Sequence, residues 1–207
     1  MTESRSYRGQ SVGDRRRLRR ARFLDSGLQL FGTQGYAGTS IPAVCKHAAL
    51  SSRQFYEVFA DREDLLKALY DETQDAAMAA VSGAIAVELE KQSTLEEMFG
   101  AGITAFVMYY ADSPQRIRVS FIEVVGVSPG FEAHRRERRL QWASLLAAVS
   151  ERGAQQGMDV TASDPLAWAA YLGAVNAAIV EHSEDASTTV DDVMRVMRRM
   201  LRPGVLG

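Results

Sequence analysis

Two short amphipathic patterns separated by a tight break lie between residues 39 and 65, and no other stretch of the chain restricts the fold as strongly. The first pattern has apolar residues at i, i+3, i+4 and i+7, the spacing of one helix face: Ile41, Val44, Cys45 and Ala48. Thr39 or Ser40 can accept a hydrogen bond from the free amides of the first turn. Pro42 stands so early that its missing N–H costs little. We therefore predict a short helix with a well-defined start.

The second pattern follows after a break at residues 48–50. Ser51 offers a new N-cap, and the apolar face restarts at i, i+3 and i+4 with Phe55, Val58 and Phe59. Two short helices joined by a tight turn are typical of the helix-turn-helix motif, in which the second helix enters the major groove of DNA.

The polar face of the second helix carries the side chains that remain to meet a partner. At about 100° per residue, Arg53 and Glu57 lie nearly opposite the apolar face, and Gln54 and Tyr56 lie beside them. Arg and Gln match the base edges of guanine and adenine, which favours contact with bases. The alternative is an ordinary surface ion pair between Arg53 and Glu57, worth ~0.3 kcal/mol.

A further helix is predicted ahead of the motif, over residues 15–36. Leu24, Leu28 and Phe31 form its apolar stripe, and Gly35 ends it because glycine readily adopts the left-handed conformation. A flexible basic arm over residues 1–13 precedes it, and the sequence has eight Arg against one Glu and one Asp up to position 22. Contact with phosphate and a merely solvated tail both fit the arm.

Charge is divided unevenly along the chain, although its formal net charge is only −2. Up to Lys67 there are twelve Lys and Arg against seven Asp and Glu, whereas the remainder has twelve against nineteen. A basic part joined to an acidic remainder would present one face to DNA. We therefore divide the chain into a basic arm over 1–13, a helix-turn-helix domain over 14–61 and a larger domain over 62–207.

The larger domain is predicted to be helical as well, so that the fold class is all-α. Breaks leave room for about six helices, and they lie near residues 91–94, 112–114, 128–130, 153–165 and 183–189. The longest apolar runs are too short and too rich in small residues to span a bilayer. One cysteine and no metal-ligand spacing predict neither a disulfide nor a metal or other cofactor. These features favour a cytoplasmic protein.

The last two helical patterns each have an apolar side that needs a partner. Residues 165–182 mix large apolar side chains with small ones that permit close approach, and residues 189–202 set Val193 and Met197 against several arginines. An antiparallel pair that meets its two-fold mate in a four-helix interface buries both sides. We therefore predict a homodimer through these two helices.

Aromatic and isolated polar side chains of the middle helices form a candidate effector pocket. They are Phe99, Phe106, Tyr109, Tyr110, Phe121, Glu123, Trp142, Trp168, Tyr171 and Asn176. Core packing is the alternative for each of them. Glu123 stands in an otherwise apolar run, where a buried carboxylate requires a donor such as Arg118 or a ligand, unless it is exposed at a helix edge. The run HRRERR at 134–139 is interpreted as a solvated helix face.

Five motifs make residues 19–70 similar to the N-terminal domain of TetR-type bacterial transcriptional regulators: FLDSGLQLF, GYAGTS, AVCKHAALS, RQFYEVF and DREDLL. The resemblance implies a three-helix DNA-binding domain on an all-helical dimer of the bacterial nucleoid. It also implies that the larger domain binds a small effector, which usually releases the operator. Ala49 and Leu50 replace the Gly and Val common in the turn of this family, and Ala49 would bear strain of about 1 kcal/mol at a positive φ.

Carried over by position, the resemblance makes residues 51–58 the recognition helix. It implies that Tyr56 and either Thr39 or Ser40 touch phosphates, and that Arg62 replaces the family's phosphate-contacting lysine. The complete candidate DNA-contacting set is Thr39, Ser40, Ser51, Ser52, Arg53, Gln54, Tyr56, Glu57 and Arg62.

The sequence therefore leads to one function and one alternative. The first is a sequence-specific transcriptional repressor that a small-molecule effector releases from a near-palindromic operator. In it Arg53 contacts guanine, Gln54 contacts adenine or the DNA backbone, and Glu57 orients Arg53 or accepts from cytosine. The alternative is a DNA-binding protein without an effector, controlled by a protein partner or purely architectural. No phosphate loop, nucleophile motif or metal spacing supports an enzyme.

Overall fold

The computed structural model describes residues 12–155, 165–185 and 187–201 of the chain. These residues form helices joined by turns and contain no strand, which confirms the all-α fold class. They divide into two compact units between Leu69 and Tyr70. Most of the predicted basic arm, with Arg5 and Arg8, lies outside the described residues.

The described part of the N-terminal unit contains three helices and the start of a fourth. Helix α1 spans Val12–Gln34, α2 spans Ile41–His47, α3 spans Ser52–Tyr56, and α4 begins at Arg62. The first helix thus begins within the last two residues of the predicted arm. Phe23, Phe31 and Phe55 are fully buried, and the rings of Phe23 and Phe55 meet edge to face with centroids 5.3 Å apart. This aromatic core fixes α3 against α1.

The first turns of α4 belong to the N-terminal unit. Leu65 and Leu66 are fully buried, and Leu65 packs beside Gly27 of α1, where an added Cβ would lie 3.4 Å from Leu65 Cδ2. The division between the units therefore falls inside α4 rather than ahead of it. The functional domain limits given above stay predictions.

The described part of the C-terminal unit contains the rest of α4 and five further helices. Helix α4 ends at Glu90, and the others are α5 (Leu95–Ala111), α6 (Pro114–Ile117), α7 (Pro129–Gln155), α8 (Pro165–Glu184) and α9 (Val190–Leu201). A π-helical turn, Arg118–Ile122, follows α6 directly. The predicted breaks near 91–94, 112–114 and 183–189 coincide with gaps between helices, whereas the gap expected near 128–130 begins earlier, directly after Ile122. Residues 156–164 lie outside the described ranges.

Aromatic side chains fill the core of the C-terminal unit. The ring of Trp168 lies 4.9 Å from that of Phe99, and the ring of Trp142 meets Phe106 edge to face at 5.3 Å. The Tyr171 hydroxyl donates to the backbone oxygen of Met197 at 3.0 Å, which ties α8 to α9. No helix in the described ranges has the length and apolar character needed to cross a membrane.

Candidate functional site

Side-chain caps set the starts of α2 and α3. Ser40 is the N-cap of α2, and its Oγ accepts from the amide of Ala43 at 3.3 Å. Ser51 caps α3, and its amide donates in return to Gln54 Oε1 at 2.9 Å, which completes a capping box. Helix α3 is shorter than the predicted recognition helix because Ser51 and Glu57 are its two caps and Val58 lies in the turn beyond.

The turn between α2 and α3 has the backbone conformation that glycine favours. Ala49 has a φ of 49°, in the left-handed region that residues with a Cβ rarely adopt. The amide of Leu50 donates to the backbone oxygen of Cys45 at 3.0 Å and closes the turn. The expected strain at Ala49 is thus present, and the turn forms in spite of it.

Arg53 projects from α3 into solvent. Its side chain is 91% exposed, and its Nε lies 3.7 Å from Glu57 Oε1. The other oxygen of Glu57 accepts a hydrogen bond from the guanidinium of Arg19 on α1. The surface ion pair therefore exists, but Glu57 is shared with Arg19 and the Arg53 guanidinium remains open to a partner.

Arg19 was absent from the candidate set. It stands 38 residues ahead of Glu57, and no local pattern connects the two positions. The only signal in the sequence was the cluster of arginines on the predicted first helix.

Gln54 is committed to the capping box. Its Oε1 accepts from both the amide and the hydroxyl of Ser51, at 2.9 and 3.1 Å. A two-bond contact with adenine needs both the carbonyl and the amide of the side chain, so it would break this cap. The capping box occupies Oε1 of Gln54 and leaves its Nε2 as the group that can meet a partner without loss of the cap.

The structure separates the two candidates at the start of α2. Thr39 is only 1% exposed, and its hydroxyl donates to the backbone oxygen of Gly35 at 2.8 Å. A phosphate contact by the Thr39 side chain is therefore incompatible with this conformation. Ser40 is exposed, as are Ser51, Ser52 and Tyr56, and Tyr56 reaches 60% exposure.

Arg62 is half-buried at the start of α4. Its Nη1 donates to the backbone oxygen of Thr39 at 2.6 Å, and its guanidinium carbon lies 4.2 Å from the centre of the Tyr36 ring. These contacts fix the side chain beside the start of α2. An arginine has five N–H donors, so Arg62 keeps donors for a phosphate while it performs this structural role.

Half of the predicted effector residues line one small apolar cavity in the C-terminal unit. They are Phe99, Phe106, Trp142, Trp168 and Tyr171. Aliphatic side chains of α4, α5, α7 and α8 complete the wall, and the cavity volume is about 40 Å³. Ligand pockets are typically about 300–1,000 Å³, so a drug-sized molecule would have to enlarge this one.

A second, polar cavity shares part of that wall. Phe106, Trp142 and Leu172 line both cavities. The polar one also contains two predicted residues, Phe121 and Asn176. The remaining lining residues were missed by the sequence analysis: Tyr70, Gln74, Ser120, Arg135 and Arg139.

Three predicted effector residues line neither of these two cavities. The buried Tyr110 hydroxyl accepts from Gln74 Nε2 at 3.1 Å, and burial raises the pKa of Tyr110. Tyr109 has the guanidinium of Arg116 4.4 Å from its ring centre. Glu123 accepts from Arg118 Nε at 2.8 Å, the donor that the sequence had suggested. Each of the three therefore has a structural contact instead of a place in these cavities.

The interpretation of residues 134–139 as a solvated face is wrong for half of them. His134, Arg135 and Arg138 are half-buried, and His134 Nε2 lies 2.5 Å from Asp71 Oδ1. Arg138 forms an ion pair with Asp75. The sequence did contain a signal for this pairing. Asp71 and Asp75 of α4 are four residues apart, and so are their partners on α7, His134 and Arg138.

Comparisons with known proteins agree with this architecture. Residues 23–69 match the family model of bacterial regulatory proteins of the tetR family. No protein of curated function shows a significant match to the chain.

Solved structures match nearly the whole chain. The fatty acid degradation regulator FadR from Bacillus halodurans has a TM-score of 0.76 at 16% identity, over 95% of this chain and 98% of its own. The transcriptional regulator FadR from Bacillus subtilis, in complex with stearoyl-CoA, has a TM-score of 0.75 at 16% identity, over 89% and 98%. The TetR-family regulator PfmR from Thermus thermophilus has a TM-score of 0.70 at 22% identity, over 88% and 98%.

The family match and the fold lead to the same conclusion. The matched residues run from the second half of α1 through the helix-turn-helix to the first turns of α4. Residues 23–69 are therefore a TetR-family DNA-binding domain, in a chain with the fold of TetR-type transcriptional regulators.

Proposed function

We propose that the chain acts as a homodimeric repressor that binds a near-palindromic operator and is released by a small-molecule effector. The observation that carries the DNA-binding part is the exposed guanidinium of Arg53 on a capped α3. Two such helices, related by a two-fold axis, would enter successive major grooves about 34–36 Å apart.

The contacts divide into base and backbone contacts. Arg53 contacts guanine through two hydrogen bonds, and Glu57, fixed by Arg19, orients it. The exposed side chains of Ser40, Ser51, Ser52 and Tyr56, with Nε2 of Gln54 and the remaining donors of Arg62, contact phosphates and position the helix.

Selection of bound DNA from a random pool tests the base contact. For Arg53→Ala we expect a loss of ~1–3 kcal/mol at one base position, because one two-bond contact disappears. Arg62→Ala should weaken binding to all DNA sequences. It should also reduce the slope of log affinity against log salt concentration by the amount expected for about one phosphate contact. Arg136→Ala, which removes an exposed cation from α7, is the matched control. An unchanged sequence preference for Arg53→Ala would overturn the assignment.

The outer faces of α8 and α9 support dimerisation through these helices. Helix α8 exposes a stripe of small residues: Ala169, Ala170, Gly173 and Ala177. Helix α9 exposes Val196 and Met200 on the flank of its buried stripe, which contains Val193 and Met197. Small side chains allow two helices to approach closely, and the exposed apolar ones gain from burial.

Gly173 offers a clean test of the dimer. A Cβ at this position meets no atom within 4 Å in the protomer, so Gly173→Arg should leave the protomer folded. In the proposed interface the same side chain would clash with the two-fold mate. We expect a monomer in sedimentation velocity and a large loss of operator affinity, and a dimer of unchanged mass would exclude this interface.

The effector part rests on the cavities of the C-terminal unit. FadR from Bacillus subtilis, which has a similar fold, was solved in complex with stearoyl-CoA. Because the apolar cavity is small, a ligand there would favour a rearranged state, and release requires that this state bind the operator less tightly. The operator must then reduce the affinity for the ligand by the same factor by which the ligand reduces the affinity for the operator. Equal ligand affinities of the free and operator-bound forms, measured by calorimetry, would exclude release and favour a DNA-binding protein without an effector.

A further inference from the structure

The apolar and polar cavities of the C-terminal unit are two compartments with a common wall. Phe106, Trp142 and Leu172 line both of them. On one side the wall faces aromatic and aliphatic side chains, including Trp168. On the other side it faces hydroxyl, amide and guanidinium groups. A ligand that crosses this wall would need one apolar end and one polar end.

The charged groups of the polar cavity are both positive. Arg135 and Arg139 line it, and no carboxylate lies among its described lining residues. Arg135 donates from Nη1 to both oxygens of Glu132, each at 2.8 Å, while its Nε is buried without a hydrogen-bond partner in the described ranges. Arg139 makes no ion pair with any residue that the structure describes. The cavity therefore has more cationic than anionic groups at its surface.

The same positive charges act on Tyr70, which lines the polar cavity. Burial raises the pKa of the Tyr70 hydroxyl, whereas the positive charges of Arg135, Arg138 and Arg139 act in the opposite direction. A positive potential of this kind would attract an anionic head group of a ligand in the same cavity.

Ser120 provides an independent indication of a ligand. It lines the polar cavity, is only 2% exposed, and its hydroxyl makes no hydrogen bond of normal geometry in the described part of the chain. Ser120 lies beside the Tyr110 hydroxyl and acts to lower the pKa of Tyr110. A serine hydroxyl is both a donor and an acceptor, so it can bind a ligand while it has this neighbour. An acceptor on a ligand would give this buried hydroxyl a hydrogen bond of normal geometry, which it lacks within the described residues. An oxyanion suits both this hydroxyl and the two guanidinium groups.

We propose that the effector is an amphipathic anion, whose compact acidic group, such as a carboxylate, binds to Arg135, Arg139 and Ser120. Its apolar body lies against Phe106 and Trp142 and reaches the aromatic cavity. This inference rests on the proposed effector function and names the chemical class of the ligand. A neutral or cationic amphiphile of the same shape would leave Arg139 without a counter-charge and Arg135 with that of Glu132 alone.

Tryptophan emission of the full chain can test this class. The chain has two tryptophans, Trp142 and Trp168, and both line the apolar cavity. The probes are octanoate, 1-octanol and octyltrimethylammonium, followed by 4-phenylbutyrate and 4-phenylbutanol. We expect each carboxylate to bind about tenfold or more tightly than its uncharged or cationic counterparts, because charge-assisted hydrogen bonds form only with the anion.

Two substitutions on α7 assign the preference to the cavity. Arg139→Gln should reduce the preference for carboxylates over alcohols to less than about threefold, since the removed cation lines the polar cavity. Arg136→Gln removes a charge that is exposed, as Arg139 is, but that lines neither cavity, and it should leave the preference unchanged. Circular dichroism checks that both variants fold.

Operator affinity measured in the same samples separates this inference from the proposed function. Equal binding of octanoate and octanol, an unaltered preference in Arg139→Gln, or no change in emission with any probe would each overturn the anionic class. If an alcohol bound and released the operator, effector control would stand and the anionic class would fail. If only the carboxylates bound and operator affinity did not change, the class would stand and release would fail.

Discussion

The proposed DNA-contacting surface of the N-terminal unit and the cavities of the C-terminal unit are built over very different distances along the chain. At the surface, Ser51 bonds to Gln54 three residues away, and Arg53 lies beside Glu57 four residues away. In the core around the cavities, Gln74 bonds to Tyr110 and to Trp142, which are 36 and 68 residues away. The surface is therefore mostly local chemistry, whereas the cavities depend on tertiary packing.

The largest expected effect tests whether the two units are separable. Phe55→Ala empties the aromatic core of the N-terminal unit and should cost ~3–5 kcal/mol of its stability, with loss of operator binding. Both tryptophans belong to the C-terminal unit, so their emission should keep its folded value while the helical signal in circular dichroism decreases. The exposed neighbour provides the control, since Tyr56→Ala should change stability by less than ~0.5 kcal/mol. If the tryptophan emission of Phe55→Ala were instead that of an unfolded chain, the two units would not fold separately.

The next effect concerns the long-range bonds beside the cavities. Trp142 Nε1 donates to Gln74 Oε1 at 2.8 Å, and Gln74 Nε2 donates to the Tyr110 hydroxyl at 3.1 Å. Gln74→Leu leaves both partners buried without these bonds, at ~1–3 kcal/mol for each. Urea denaturation should show this loss together with a shift of the tryptophan emission. Gln34→Leu, at the exposed end of α1, should show neither, and equal stabilities of the two variants would contradict the role of Gln74.

A smaller effect compares one strained turn in each unit. Ala49 and Gln92 have φ values of 49° and 58°, and they are the non-glycine residues with positive φ in the described ranges. Glycine relieves this strain, so Ala49→Gly and Gln92→Gly should each increase stability by about 1 kcal/mol in thermal denaturation. The operator preference of Ala49→Gly should stay that of the wild type. A loss of stability at Ala49 alone would indicate that its methyl group has a packing role in the turn.

The smallest effect tests the long-range element of the DNA surface. Arg19→Ala removes the cation that binds Glu57 from α1, a partly exposed pair worth ~0.2–1 kcal/mol. We expect a loss of operator affinity of a few-fold and a weaker preference at the base contacted by Arg53. A double-mutant cycle with Glu57→Gln measures the coupling. If the effects of the two substitutions on operator affinity were strictly additive, Arg19 would have no part in the positioning of Arg53. The proposed DNA-contacting surface would then depend only on residues close together in sequence.

The successes of the sequence analysis share a short range of interaction. The starts of α2 and α3 followed from Ser40 and Ser51, whose side chains cap the turn that directly follows them. The end of α1 followed from Gly35, which adopts a φ of 84°. The exposure of Arg53 followed from the helical period alone.

The errors share a dependence on neighbours distant in sequence. Thr39 was a candidate for phosphate contact, but its side chain is buried, and Arg62, 23 residues away, donates to its backbone oxygen. Residues 134–139 were expected in solvent, yet the carboxylates of Asp71 and Asp75 pair with two of them. The amphipathic period shows that a face is polar, but it does not show whether water or another helix meets that face.

The sequence by itself determined the helical fold class, the helix-turn-helix and the polar residues that its second helix exposes. These features depend on periodicity and on caps, which act within one or two turns of a helix. Only the tertiary structure decided that Arg19 shares Glu57 with Arg53, and that Arg135 and Arg139 lie beside the same cavity as Ser120. Such pairings arise when helices pack, because the contact then depends on where distant segments meet rather than on the residues between them.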